Sequence, residues 1–137
     1  KIARFRISLD MGAEKVWETA EASKVCSPII YKNHVYWAWE KFYCLDFETG
    51  KVKWSGSEFG DAGSLVMTSD ERLIAWSDKG DLRLIESAVR SSDKYTELAV
   101  HKKLAAGDAW PHVVLSGGRL LCKDRTGRIA CYSLPTP

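Results

Sequence analysis

No two cysteines are adjacent in this chain, and none stand at a C-x-x-C spacing. The four, Cys26, Cys44, Cys122 and Cys131, therefore lack the pattern of a zinc site or a dithiol redox pair. Asparagine occurs once, as Asn33. Long apolar runs do not occur either. The longest uninterrupted stretch is the five residues Val35–Trp39, whereas a membrane-spanning helix needs about 20, so no such span is expected. Charge of one sign is not in excess: 20 basic residues face 18 acidic ones, for a net charge of +2. The two signs are interspersed, which excludes the basic footprint of a nucleic-acid-binding protein. At 137 residues the chain is one domain's worth and long enough to bury a core.

What the chain has is internal repetition. Residues 65–86 align with 112–133 without a gap, at an offset of 47. Val66 matches Val113, Ser69 matches Ser116, Arg72 matches Arg119, Leu73 matches Leu120 and Gly80 matches Gly127. A shorter copy lies around 28–46, where Val35 matches Leu73 and Cys44-Leu45-Asp46 matches Leu84-Ile85-Glu86. Each copy carries the same signals. In the second, Leu65–Met67 is a short apolar strand, Ser69-Asp70-Glu71 a polar turn and Arg72–Trp76 a second strand. Asp78-Lys79-Gly80 is a turn whose glycine can take positive φ. Asp81–Ile85 alternates polar and apolar like a half-buried strand, and a more polar strand follows near Tyr95–Val100. The third copy runs from a strand at His112–Leu115, through Arg119–Cys122 and the Asp124–Gly127 turn, to Arg128–Leu134.

A repeat of about 40–47 residues built from short strands is the signature of a propeller blade. The fold expected is all-β: four-stranded antiparallel blades, about three of them, forming part of a β-propeller. The blades span approximately 1–21 (partial), 22–57, 62–101 and 109–134, the whole of 1–137 being one propeller segment, with an insertion at Ser87–Lys94. Propellers close with about 4–8 blades. N-terminal blades of the same protein are therefore expected to precede Lys1, and the end at Pro137 reads as a natural terminus.

Cys44 and Cys131 fall at equivalent positions of third strands and are expected to be small core residues. Centring the last hairpin near Thr126 sets Cys122 opposite residue 130 and Cys131 opposite residue 121. Their side chains then point to opposite faces, and no disulfide is expected.

The run Cys44-Leu45-Asp46-Phe47-Glu48-Thr49-Gly50-Lys51-Val52-Lys53-Trp54 resembles the tryptophan-docking motif of the pyrroloquinoline-quinone (PQQ) repeat, with Cys44 in place of the usual alanine. In physical terms Asp46 can accept turn amides, Gly50 closes the turn, and Trp54 is a flat plate that can pack between blades with its indole N–H on a carbonyl. Gly80 and Gly127 mark the matching turns of the later copies, which lack the terminal tryptophan. The resemblance extends over nearly the whole chain. It is greatest to the broad group of PQQ-binding-like β-propeller repeat proteins, including through Trp110-Pro111-His112-Val113-Val114-Leu115 and Gly118–Cys122. Many of that group are secreted or periplasmic bacterial proteins.

The resemblance implies a non-catalytic binding or scaffolding module with a protein or glycan partner and no cofactor. Two alternatives stay open: the C-terminal part of a PQQ-dependent quinoprotein dehydrogenase, which would use PQQ and calcium, and the sensor propeller of a signalling protein. The dehydrogenases carry a vicinal cysteine ring and a calcium held by carboxylate and amide oxygens. This chain has no vicinal cysteines, and Asn33 sits in a turn away from any carboxylate cluster. His34, His101 and His112 have no Ser or Cys partner at a triad spacing. The candidate binding rim is Trp39, Trp110 and His112, carried on a hairpin tip and a blade-to-blade loop that emerge on one face; the plainer alternative is that both tryptophans pack between blades.

Overall fold

The computed structural model describes residues 1–110 and 112–134. The described residues form thirteen strands and no helix, arranged in four antiparallel sheets of two to four strands. The first sheet is β1 (Ile2–Ser8) and β2 (Gly12–Thr19). The second is β3 (Ile29–Tyr31), β4 (His34–Trp39), β5 (Lys41–Asp46) and β6 (Val52–Glu58). The third is β7 (Gly63–Met67), β8 (Arg72–Ser77), β9 (Leu82–Glu86) and β10 (Glu97–His101). The fourth is β11 (Val114–Ser116), β12 (Arg119–Lys123) and β13 (Ile129–Ser133). Each is a meander in which sequence neighbours pair.

The hairpins are tight because the turn residues accept positive φ. Lys32 and Asn33, at φ 42° and 62°, join β3 to β4. A two-residue turn with both residues in this region matches the right-handed twist of the strands it joins. The expected strand at His112 begins two residues later, at Val114. The cause is a competing partner: Val113 N donates to Ser64 Oγ at 2.8 Å, which draws this stretch onto the third sheet.

Strand alternation distributes the apolar residues over three cores. Val35, Trp37 and Leu45 of the second sheet pack against Ile2 and Trp17 of the first. The other face of the second sheet, Tyr36, Ala38, Phe42, Cys44 and Trp54, packs against Leu65, Leu73, Ala75 and Ile85 of the third. The other face of the third, Ile74 and Trp76, packs against Val113, Leu120 and Cys122 at the fourth. The sheets thus follow one another as a stack in sequence order, fastened by a parallel bridge between Val25 and Ala62 and by Ala88 N donating to Tyr36 Oη at 3.0 Å.

The last hairpin pairs Leu121 with Cys131 and Cys122 with Ala130. The two cysteines therefore lie on opposite faces, and all four are free thiols. Cys44 is fully buried, and burial pushes its thiol up to about 12. Cys131, expected in the core as its equivalent, is exposed instead. The reason is positional. The face that carries Cys44 is covered by the next sheet, whereas the matching face of the fourth sheet has no described sheet over it.

The end faces leave apolar surface in water. Phe5 is 54 % and Ile7 81 % exposed on the first sheet, and Ile129 is 60 % exposed on the fourth. The accessible surface is 8105 Å², against roughly 7,200 Å² for an ordinary monomer of this mass. Open faces and strand edges of this kind template association. The chain is expected to sediment with a concentration-dependent coefficient, and the double substitution Phe5→Lys, Ile7→Lys should shift it toward monomer. A coefficient independent of concentration would contradict this.

Candidate functional site

The turn between β5 and β6 is built around Asp46. Its Oδ1 accepts from Thr49 N at 2.8 Å and from Thr49 Oγ1 at 2.9 Å. Gly50 N donates to Asp46 O, and Asp46 N to Lys51 O, each at 2.9 Å. The two Thr49 bonds, the amide first, hold the carboxyl below its ordinary range. Gly50 sits at φ +70°, and a Cβ there would stand 2.6 Å from Cδ2 of Trp17. The indole of Trp17 lies against this turn, and its Nε1 donates to Phe47 O at 2.9 Å. Arg4 reinforces the contact, donating to the same carbonyl at 3.0 Å and to Glu48 at 2.7 Å, with its guanidinium 4.0 Å from the Phe47 ring centroid.

The tryptophan docked on this turn is thus Trp17, from the preceding sheet. The sequence signal was present: Trp17 follows the Asp10-Met11-Gly12 turn by five residues, as Trp54 follows Gly50 by four. Trp54 does pack between sheets, with ring centroids of Tyr36, Phe42 and Tyr95 at 6.0–6.1 Å. The carbonyl expected for its N–H is not there: Trp54 Nε1 is buried without a hydrogen-bond partner among the described residues. In the third sheet the turn after β9 is bound by the Tyr36 hydroxyl instead.

The other marked turns are structural in the same way. Asp124 is buried. Its Oδ1 accepts from Thr126 N, Thr126 Oγ1 and Arg128 N at 3.0, 2.6 and 3.1 Å, and its Oδ2 from Ala106 N at 3.1 Å. Gly127 closes that turn at φ +92°. Gly80, at φ +75°, lies so close to the following linker that a Cβ would stand 2.6 Å from Ala105 N.

Hairpin tips and sheet-to-sheet linkers are stitched together along one rim. Glu40 N donates to Gly60 O at 2.6 Å and Phe59 N to Glu40 O at 2.8 Å. Asp78 N donates to Ala62 O at 2.9 Å and Ala109 N to Asp78 O at 2.8 Å. Leu104 N donates to Gly80 O and Arg125 N to Asp108 O, each at 2.8 Å. Trp39 and Trp110 sit at separate points of this rim. Trp39 is half-buried, with the Lys24 ammonium 5.5 Å from its ring centroid and its Nε1 without a hydrogen-bond partner among the described residues. Trp110 is 43 % exposed, and the Arg125 guanidinium lies 4.5 Å from its ring centroid. His112 is exposed in the linker before β11.

Asn33 stands nearer to a carboxylate than its sequence position suggests, with Nδ2 3.4 Å from Asp46 Oδ2. The oxygens of Asp46 and Asp124 nevertheless already accept from their own turns and neighbours. Among the described residues no group of three or more His, Cys, Asp or Glu is placed to hold a metal. His34 begins β4, and burial together with Lys53, whose Nζ is 3.2 Å from Nε2, lowers its pKa. His101 ends β10 and is exposed. A cleft of about 460 Å³ opens between the second and third sheets above Arg83, which is paired with Glu97 at 2.7 Å. No family model matches the chain, and no curated protein matches it significantly.

Gly50→Ala combines a left-handed backbone with a clash against Trp17 and should cost about 1–3 kcal/mol in denaturant unfolding. A stability equal to the parent's would show that the docking is dispensable. The lowered carboxyls of Asp46 and Asp124 contribute stability in full above the free value of about 3.9. That contribution is lost as pH falls through their folded values. Replacing both with Asn should lower Tm at pH 7 and flatten its decline below about pH 4, as followed by calorimetry.

Proposed function

We propose that the chain is part of a PQQ-like β-propeller and acts as a non-catalytic binding or scaffolding module, carried by an exported bacterial protein. The stack of antiparallel meanders in sequence order supports the propeller, as does the docking of Trp17 on the Asp46–Gly50 turn of the next sheet. The observation that carries the binding role is the rim. Its tips and linkers are locked by main-chain hydrogen bonds, so Trp110, exposed and stacked on Arg125, is held ready rather than ordered at the moment of contact. A preorganised aromatic–arginine pair loses little entropy on association and is the residue combination that anchors interfaces. A protein or glycan surface suits it. The carboxylates of Asp46 and Asp124 accept from their own turns.

Titrating the protein with PQQ and calcium, read by quinone absorbance, tests the non-catalytic reading. No stoichiometric uptake is expected. Tight uptake at one equivalent would overturn the reading and make the chain part of a quinoprotein.

A further inference from the structure

The last strands of the first three sheets, β2, β6 and β10, treat the gap to the next sheet differently. Trp17 on β2 fills the gap between the first and second sheets, and Trp54 on β6 fills that between the second and third. Trp54 pairs across the ladder with Cys44. The repeat equates Cys44 with Leu84, and the residue that pairs with Leu84 is Ala99. Where two sheets present an indole, the third presents a methyl group.

The consequence is a groove of about 160 Å³ between the third and fourth sheets, lined by Leu82, Leu84, Ala99, Leu120, Leu134 and His101. We propose that this groove binds a small, uncharged aromatic ring, in the place that an indole side chain occupies between the other sheets. The volume is of the right order, since an enclosed aliphatic-lined cavity of about 150 Å³ accepts benzene, and here one side of the site opens to solvent. The shape fits because the same molecule twice puts a flat plate between adjacent sheets. The polarity restricts the ligand to neutral compounds. Arg83 borders the groove, but its guanidinium is engaged by Glu97 at 2.7 Å and by Glu58 O at 3.2 Å toward the second sheet. A charged ligand would therefore be desolvated against aliphatic side chains without a counter-ion. His101, opposite Leu82 in the ladder, offers a single polar group for a ring N–H or O–H. This inference stands on the sheet geometry and is independent of the rim.

Indole is the probe. It is titrated into the full chain with isotope-labelled methyl and backbone groups, followed by NMR. Saturable shifts confined to Leu82, Leu84, Ala99, Leu120, Leu134 and His101 are expected, with a Kd on the order of 1 mM or tighter. Ala99→Trp supplies the plate from within the chain and should weaken indole binding at least about tenfold while raising Tm. Ala99→Leu, a smaller change, should weaken it by less and serves if the tryptophan is not accommodated. Shifts that are absent, unsaturable or scattered would overturn the proposal, as would wild-type affinity in a folded Ala99→Trp or in Ala99→Leu.

Discussion

Leu73 and Ile74 are neighbours on β8, yet they are buried in different cores, one against the second sheet and the other against the fourth. The two-residue period of a strand sends consecutive side chains to opposite faces, and the third sheet has a neighbour on each. Everything else in the molecule depends on this double burial. Each large aliphatic side chain so removed from water contributes about 1.5–3 kcal/mol. A single sheet of four short strands could not hold itself together without a partner on its apolar faces. The stack supplies the partners, and it does so in sequence order because each sheet is a meander of consecutive strands.

Specific polar contacts set the spacing and rotation of that stack. Trp17 on the Asp46–Gly50 turn, Tyr36 on Ala88 and Ser64 on Val113 each tie one sheet to the next across an apolar interface. Tyr36 and Ser64 each satisfy a buried backbone N–H, and Trp17 joins Arg4 on the Phe47 carbonyl. At the rim the same logic operates with main chain alone, the linkers bonding to the tips. The result is an edge of loops with little freedom. Trp110 and Arg125 are presented by that edge rather than tucked beneath it. The interfaces differ in what the last strand of each sheet places there: an indole from β2 and from β6, but Ala99 with a groove beside it from β10, where Trp76 of β8 supplies the buried indole instead.

Much of this was legible in the residues. The offset of 47 between copies, the alternation in Asp81–Ile85 and the turn glycines located strands to within one or two residues. The hairpin arithmetic around Thr126 put Cys122 and Cys131 on opposite faces. Both readings rest on local periodicity, which a strand cannot violate without turning its apolar side to water. What escaped was relational. Trp54 lacks the carbonyl partner expected of it, while Trp17, five residues after its own turn glycine rather than four, makes that bond. Cys44 and Cys131 are equivalent in the repeat but differ in burial. Burial depends on the neighbour, and no repeat register specifies a neighbour.

The amino-acid sequence by itself determined that the chain is all-β, where its turns fall and which residues share a face, because these follow from backbone sterics and a period of two. Only the tertiary structure decided which tryptophan docks on which turn, which cysteine is shielded, and that Trp39 and Trp110 stand apart on one rim. It also decided that an alanine in place of an indole leaves a groove. Each of these depends on what lies across an interface, and the distance across it is set by the packing of whole sheets rather than by any residue's immediate neighbours in the chain.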